Sequence, residues 1–138
     1  MKKILVAYDG SEPAEKAFDL ALDFARCFHA EIYVLAVTRL PEPADDIETE
    51  AIMESAHEYY EKLFAVLRQK SSGQNISLRF ETMVGHPAEQ IIFFAEAKNI
   101  DHIIMGHRGK TLFQKWLLGS VAKRVMSYAP CSVTIVRG

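Results

Sequence analysis

Two groups of residues in this chain have the types and spacing to do chemistry. The first reads Gly106-His107-Arg108-Gly109-Lys110-Thr111 and, with nine residues intervening after Gly109, Gly119-Ser120. Paired glycines let a backbone turn tightly and bring its N–H groups up to an anion. Gly119-Ser120 opens a helical pattern, where unpaired N–H groups and the helix dipole favour phosphate. Ser120 can cap that helix or donate its hydroxyl to a phosphate oxygen. His107 lies inside the turn, within reach of a phosphate. Arg108 and Lys110 can neutralise phosphate charge or stand as solvated loop cations.

The second group is Asp9-Gly10-Ser11, which follows the apolar run Ile4-Leu5-Val6-Ala7-Tyr8 and precedes Glu12-Pro13 at a helix start. A carboxylate there can accept hydrogen bonds from ribose hydroxyls or help hold a divalent cation. Asp9 or Ser11 can equally cap the helix. Gly85-His86-Pro87 forms a third turn, with Pro87 suited to a first helical turn and His86 placed in the loop.

Other readings of these residues fail on their spacing. A P-loop ending in Gly109-Lys110-Thr111 needs glycine at position 104, which is Ile104 inside an apolar run. A dinucleotide fingerprint is absent after the first strand. A phosphoacceptor receiver domain needs an acid where Val84-Gly85 stands and a lysine where Arg137-Gly138 stands. His29, His57 and His102 read as surface or packing residues, Tyr59 and Tyr60 as helix packing, and no spacing resembles a metal cage. Cys27 and Cys131 lack zinc or redox spacing and read as reduced core or near-core residues. No Ser-His-Asp set or acid–base carboxylate pair is legible, so the site reads as a binding cradle more than a catalytic centre.

These turns need a scaffold. Ile4–Tyr8, Glu31–Val37, Ser77–Val84, His102–Met105 and Val133–Val136 read as strands, apolar enough to be covered on both faces. Between them lie helical faces: Ala17, Leu20, Ala21, Phe24 and Ala25; Ile52, Ala56, Tyr59, Tyr60, Leu63 and Leu67; Ala88 to Ala97; and Val121, Val125 and Met126. Arg39 to Glu50 reads as a loop, and Ser71 to Asn75 ends the second helix. The alternation predicts one α/β domain over residues 1–138, a doubly wound, mostly parallel five-stranded sheet in the order 3-2-1-4-5 with helices on both faces. Ligands in such sheets sit where the strand order switches, here between the first and fourth strands.

A net charge of -2 gives no electrostatic reason to expect nucleic acid or an anionic membrane as partner. No stretch has the length and hydropathy of a bilayer span. Asp9-Gly10 interrupts the first apolar run too early for a signal peptide. A cytoplasmic location is therefore expected, and the glycosylation match at Asn75-Ile76-Ser77 is expected to be idle.

The run Ile4 to Ser11, the Gly85-x-Pro87 turn, the Gly106-x-x-Gly109 to Gly119-Ser120 frame and the ending Ala129 to Arg137 together resemble the universal stress protein family. The spaced glycine frame is similar to that of the family's ATP-binding branch. The resemblance implies an adenine-nucleotide sensor or regulator that holds ATP, with magnesium or manganese, and pairs as a homodimer through its last strand. By position it implies that Asp9 contacts the ribose or a metal and that Ala7 and Val37 line the adenine pocket. Met105 would pack near the nucleotide, while Gly106, Gly109, Gly119 and Ser120 hold the phosphates. His107 departs from the small hydroxyl residue frequent there, which bears on one phosphate contact and on the preference among ATP, ADP and AMP. Slow ATP hydrolysis or phosphotransfer, and binding of AMP or cyclic AMP, are the alternatives.

Overall fold

Short runs rich in Ile and Val form strands here because branched side chains suit a pleated surface covered by helices. The computed structural model describes residues 1–40, 46–109 and 118–138. In these residues the order is β1 (Lys3–Ala7), α1 (Glu12–Phe28), β2 (Glu31–Thr38), α2 (Asp46–Lys70), β3 (Leu78–Val84), α3 (Pro87–Ala97), β4 (His102–Gly106), α4 (Ser120–Tyr128) and β5 (Ser132–Val136). The strands form one sheet in the order β3-β2-β1-β4-β5, as the alternation predicts, and every pairing is parallel.

Register divides the core in two. Leu5 lies beside Tyr33 and Ile103, and Ile4 beside Ile32 and His102. Strand side chains alternate between faces. Odd-numbered residues of the three central strands therefore pack with Ile91, Phe94, Ala122 and Val125 of α3 and α4. Even-numbered ones pack with Ala17, Phe18, Ala21, Phe64 and Leu67 of α1 and α2.

Several local expectations are corrected. Helix α1 starts with the Ser11 hydroxyl accepting from the Ala14 N–H, and it buries Phe18 and Leu22 beside Ala17, Ala21 and Ala25 of the expected face, while Leu20 and Phe24 are only partly buried. Helix α2 begins at Asp46, so Asp46 and Glu48 lie in its first turn, where the dipole favours acids. Residues 41–45 of the expected loop, with Pro41, Pro43 and Asp45, lie outside the described residues. The helix buries Phe64 and Leu67, whereas Tyr59 is 40% exposed. Strand β3 is an edge strand that is only partly covered, since at most alternate residues reach partial burial. Met126 is 51% exposed because α4 turns Ala122 and Val125 inward instead. Cys27 is exposed and Cys131 partly buried. His102 does pack: it meets the Phe24 ring edge-on, and its Nε2 lies 2.6 Å from the Thr134 hydroxyl. Among the described residues no helix is long and apolar enough to cross a membrane.

Phe64 is the anchor of α2. It is 1% exposed and its ring centroid lies 6.5 Å from Tyr8, 6.0 Å from Tyr60 and 4.9 Å from Phe80. Phe64→Ala is expected to cost about 3–5 kcal/mol in urea unfolding, the range for emptying a buried aromatic site. Tyr59→Ala, on the exposed side, is expected to change stability by less than about 1 kcal/mol.

Candidate functional site

The order switch between β1 and β4 leaves the C-terminal ends of both strands free of a crossover, and the two chemically unusual segments emerge there side by side. Ala7 and Met105 are register partners at those ends. Beyond them the chain is held by backbone bonds. The His107 N–H donates to the Val136 carbonyl at 2.8 Å, and the Gly119 N–H donates to the His107 carbonyl at 2.7 Å. The second bond brings the N-terminus of α4 back to the start of the glycine turn. Both main-chain groups of His107 are thus engaged, and its side chain is 1% exposed, turned into the protein. His107 braces the turn.

Close packing explains the glycines. A Cβ at Gly106 would lie 2.6 Å from Pro13 Cβ and 3.0 Å from the Pro13 carbonyl carbon. Its absence lets the first turn of α1 press against the end of β4. A Cβ at Gly109 would lie 2.8 Å from Asp9 Oδ2. Asp9 and Gly109, 100 residues apart in number, therefore face each other across the β1–β4 boundary. The other carboxylate oxygen, Oδ1, accepts from the Ser11 N–H at 3.0 Å, which fixes the direction of the Asp9 side chain.

Gly119 is the N-cap of α4, and Ser120 is its first helical residue, exposed. The reading of Ser120 as the cap is corrected. With glycine at the cap, no cap side chain satisfies the first N–H groups, and among the described residues these are open to a ligand or water. Arg108 is partly buried, and its guanidinium donates to the Gly109 carbonyl at 3.4 Å. Lys110 and Thr111 lie outside the described residues.

Beside this cradle, Ala7, Val37 and Met83 are partly buried apolar residues on the α3/α4 side of the sheet, with Leu118 and Val121 flanking them. Val37 and Met83 are register partners. Met83 was not singled out from the sequence, although its place two residues before Gly85 in a strand ending at the same level is the signal for it. The geometry thus joins an apolar floor, a carboxylate acceptor and a helix N-terminus. Among the described residues no three His, Cys, Asp or Glu side chains stand together as metal ligands.

Asp9 also acts on its aromatic neighbours. Burial, then the charge of Asp9, pushes the Tyr60 phenol up to about 12. Burial and a hydrogen bond donated to Glu15 push Tyr8 higher still. Tyr60 is thus coupled to the site, a role its place on a helix face did not disclose. Between about pH 10, where an unfolded tyrosine ionises, and 12, the folded chain holds more protons than the unfolded one. Stability present below pH 10 is therefore expected to fall as pH rises through this window, measured as a declining unfolding midpoint with tyrosinate absorbance delayed to denaturation. A second expectation separates the glycines. Gly106→Ala, which meets proline and backbone, should cost about 1–3 kcal/mol of stability. Gly109→Ala meets only a movable carboxylate and should unfold within about 1 kcal/mol of wild type while displacing Asp9.

Residues 1–137 match the universal stress protein family. A universal stress protein of Methanocaldococcus jannaschii is 34% identical over 140 residues, covering 99% of this chain and 82% of that protein. The solved structure of a Lactobacillus plantarum universal stress protein superposes with a TM-score of 0.86 at 25% identity, covering 99% and 97% of the two chains. An Arabidopsis thaliana family protein, solved with AMP bound, shares the fold at a TM-score of 0.72 and 18% identity, covering 100% of this chain and 93% of its own. With a family match over residues 1–137 and a relative 34% identical over nearly the whole chain, this chain belongs to the universal stress protein family.

Proposed function

We propose that this protein binds an adenine nucleotide at the β1–β4 switch and acts as a sensor or regulator whose state follows that occupancy. The observation that carries the reading is the 2.7 Å bond from the Gly119 N–H to the His107 carbonyl, which sets the open N-terminus of α4 beside the Gly106–Gly109 turn and Asp9. Phosphates lie at the α4 N-terminus, against Gly109, Gly119 and Ser120, where N–H groups and the dipole favour negative charge. Asp9 is an acceptor only, and it repels phosphate, so it takes the donors that a nucleotide offers, the ribose hydroxyls. The base lies on the apolar floor of Ala7, Val37 and Met83, with Met105 packed in the core beside it. This division of labour suits a nucleoside phosphate better than free phosphate, because each part of the ligand meets its own chemistry.

ATP is the proposed ligand, with magnesium or manganese. A divalent ion would rest on Asp9 and the phosphates, and when bound it would neutralise phosphate charge. Arg108 adds positive charge at the turn. An adenine monophosphate is the second reading, favoured by the AMP-bound Arabidopsis relative. Occupancy reaches the rest of the molecule through His107, whose N–H is bonded to Val136 on the edge strand β5. A second copy pairing along that half-covered edge would form a homodimer whose stability responds to nucleotide. A cytoplasmic setting fits this role.

Calorimetric titration of nucleotide-stripped protein with ATP and magnesium tests the proposal. Wild type is expected to bind saturably, and Gly119→Val to lose at least about tenfold in affinity, roughly 1.4 kcal/mol. AMP binding as tightly as ATP would move the assignment to the monophosphate. Failure of the wild type to bind either would overturn it.

A further inference from the structure

Strand β3 stands last in the sheet order, and among the described residues only β2 pairs with it. A strand turns the main-chain groups of alternate residues to opposite sides. The Ile32 N–H donates to the Ser77 carbonyl and the Gly85 N–H to the Thr38 carbonyl, both at 2.9 Å, so the odd-numbered residues between Ser77 and Gly85 also face β2. The N–H and carbonyl groups of Leu78, Phe80, Thr82 and Val84 therefore point away from the sheet. An edge of this kind is a template for another strand.

The side chains along the edge say which strand. Leu78 and Phe80 pack against the α1/α2 core, and the Arg68 guanidinium stands 4.5 Å from the centre of the Phe80 ring. On the opposite face Arg79 and Glu81 are exposed, one on either side of Phe80 in the chain. Arg79 lies over the Tyr33 ring at 5.9 Å, and among the described residues neither it nor Glu81 joins an ion pair.

A two-fold axis through Phe80, perpendicular to the sheet, brings the β3 of a second copy alongside in antiparallel pairing. Phe80 then meets the partner's Phe80, Leu78 the partner's Thr82, and Thr82 the partner's Leu78. These are the outward-facing residues, so each pair exchanges two N–H···O bonds and the open groups are used. Between them Arg79 stands opposite the partner's Glu81, and Glu81 opposite the partner's Arg79. Both pairs occupy non-hydrogen-bonded positions, where facing side chains come closest. Moving the axis by one residue sets Arg79 against the partner's Arg79, or Glu81 against the partner's Glu81, and like charges directly opposite are destabilising. Charges on an edge strand ordinarily deter pairing, and here they deter the neighbouring registers while favouring one.

We propose that the β3 edge is a self-association surface, to which a second copy of this chain adds its own β3 in the antiparallel register set by Arg79 and Glu81. The surface lies at the opposite edge of the sheet from β5 and is independent of pairing there. A copy using both edges would link pairs into larger assemblies.

Sedimentation velocity at about 0.5 mM chain, a concentration suited to a small interface, tests the proposal with two charge reversals. Arg79→Glu and Glu81→Arg each set like charges across the axis and are expected to weaken association at least about tenfold. The double variant Arg79→Glu/Glu81→Arg exchanges the signs, and an equimolar mixture of the two single variants matches each with its opposite. Both are expected to return to within about threefold of wild type. Where a single reversal lowers the thermal midpoint through its lost contact with Tyr33, the double variant and the mixture decide. Single variants that sediment as wild type does, as they would if copies met only through β5 or not at all, would overturn the proposal. Failure of either the double variant or the mixture to recover would overturn it as well.

Discussion

The peptide units flanking His107 are bonded on two sides, and the site is organised around them. Its N–H is given to Val136 on β5, and its carbonyl takes the N–H of Gly119 at the start of α4. Without the first bond, the chain leaving β4 would not follow the sheet edge. Without the second, the N-terminus of α4 would have no fixed relation to Asp9. Each is a backbone hydrogen bond of modest net worth, about 1 kcal/mol, but each also prevents a buried polar group from going unsatisfied, which costs more. Burial of the His107 side chain adds a reason for the turn to stay where it is, because a buried ring resists displacement from a packed interior.

That brace works only because glycine lets neighbouring elements close in. Pro13 of α1 occupies the space where a side chain on Gly106 would stand, and the Asp9 carboxylate does the same at Gly109. The first turn of α1, the end of β4 and the following loop therefore meet at contact distances that no larger residue permits. The charge of Asp9 is held beside this junction and is felt by Tyr60 on α2. Elements from both faces of the sheet thus converge on one boundary.

The two faces are not equally finished. Helices α1 and α2 enclose a core that includes Phe18 and Phe64, both essentially inaccessible. On the other side the helices leave Ala7, Val37 and Met83 only partly covered at the strand ends. A shortfall of cover at the C-terminal edge of a parallel sheet is the usual place for a ligand to complete the packing. The partly covered apolar floor and the uncapped start of α4 are therefore two aspects of one feature.

Strand order and helix alternation were determined by the sequence alone. Apolar period and turn residues are local signals, and right-handed crossovers leave few ways to arrange five strands. Asp9, Gly106, Gly109 and Gly119 were legible for the same reason, since each stands next to the strand or helix end it serves. What lay beyond reach was which side of each residue meets what. Periodicity placed Tyr59 and Met126 inward, but a helix stripe is wider than the surface it covers, and only packing chose Phe64 and Ala122 instead. Whether His107 faces ligand or core and whether Gly119 or Ser120 caps α4 were decided by tertiary structure alone. Those are contacts between segments distant in sequence or turned by one residue, and a residue's type and spacing carry no record of the partner that three-dimensional packing brings to it.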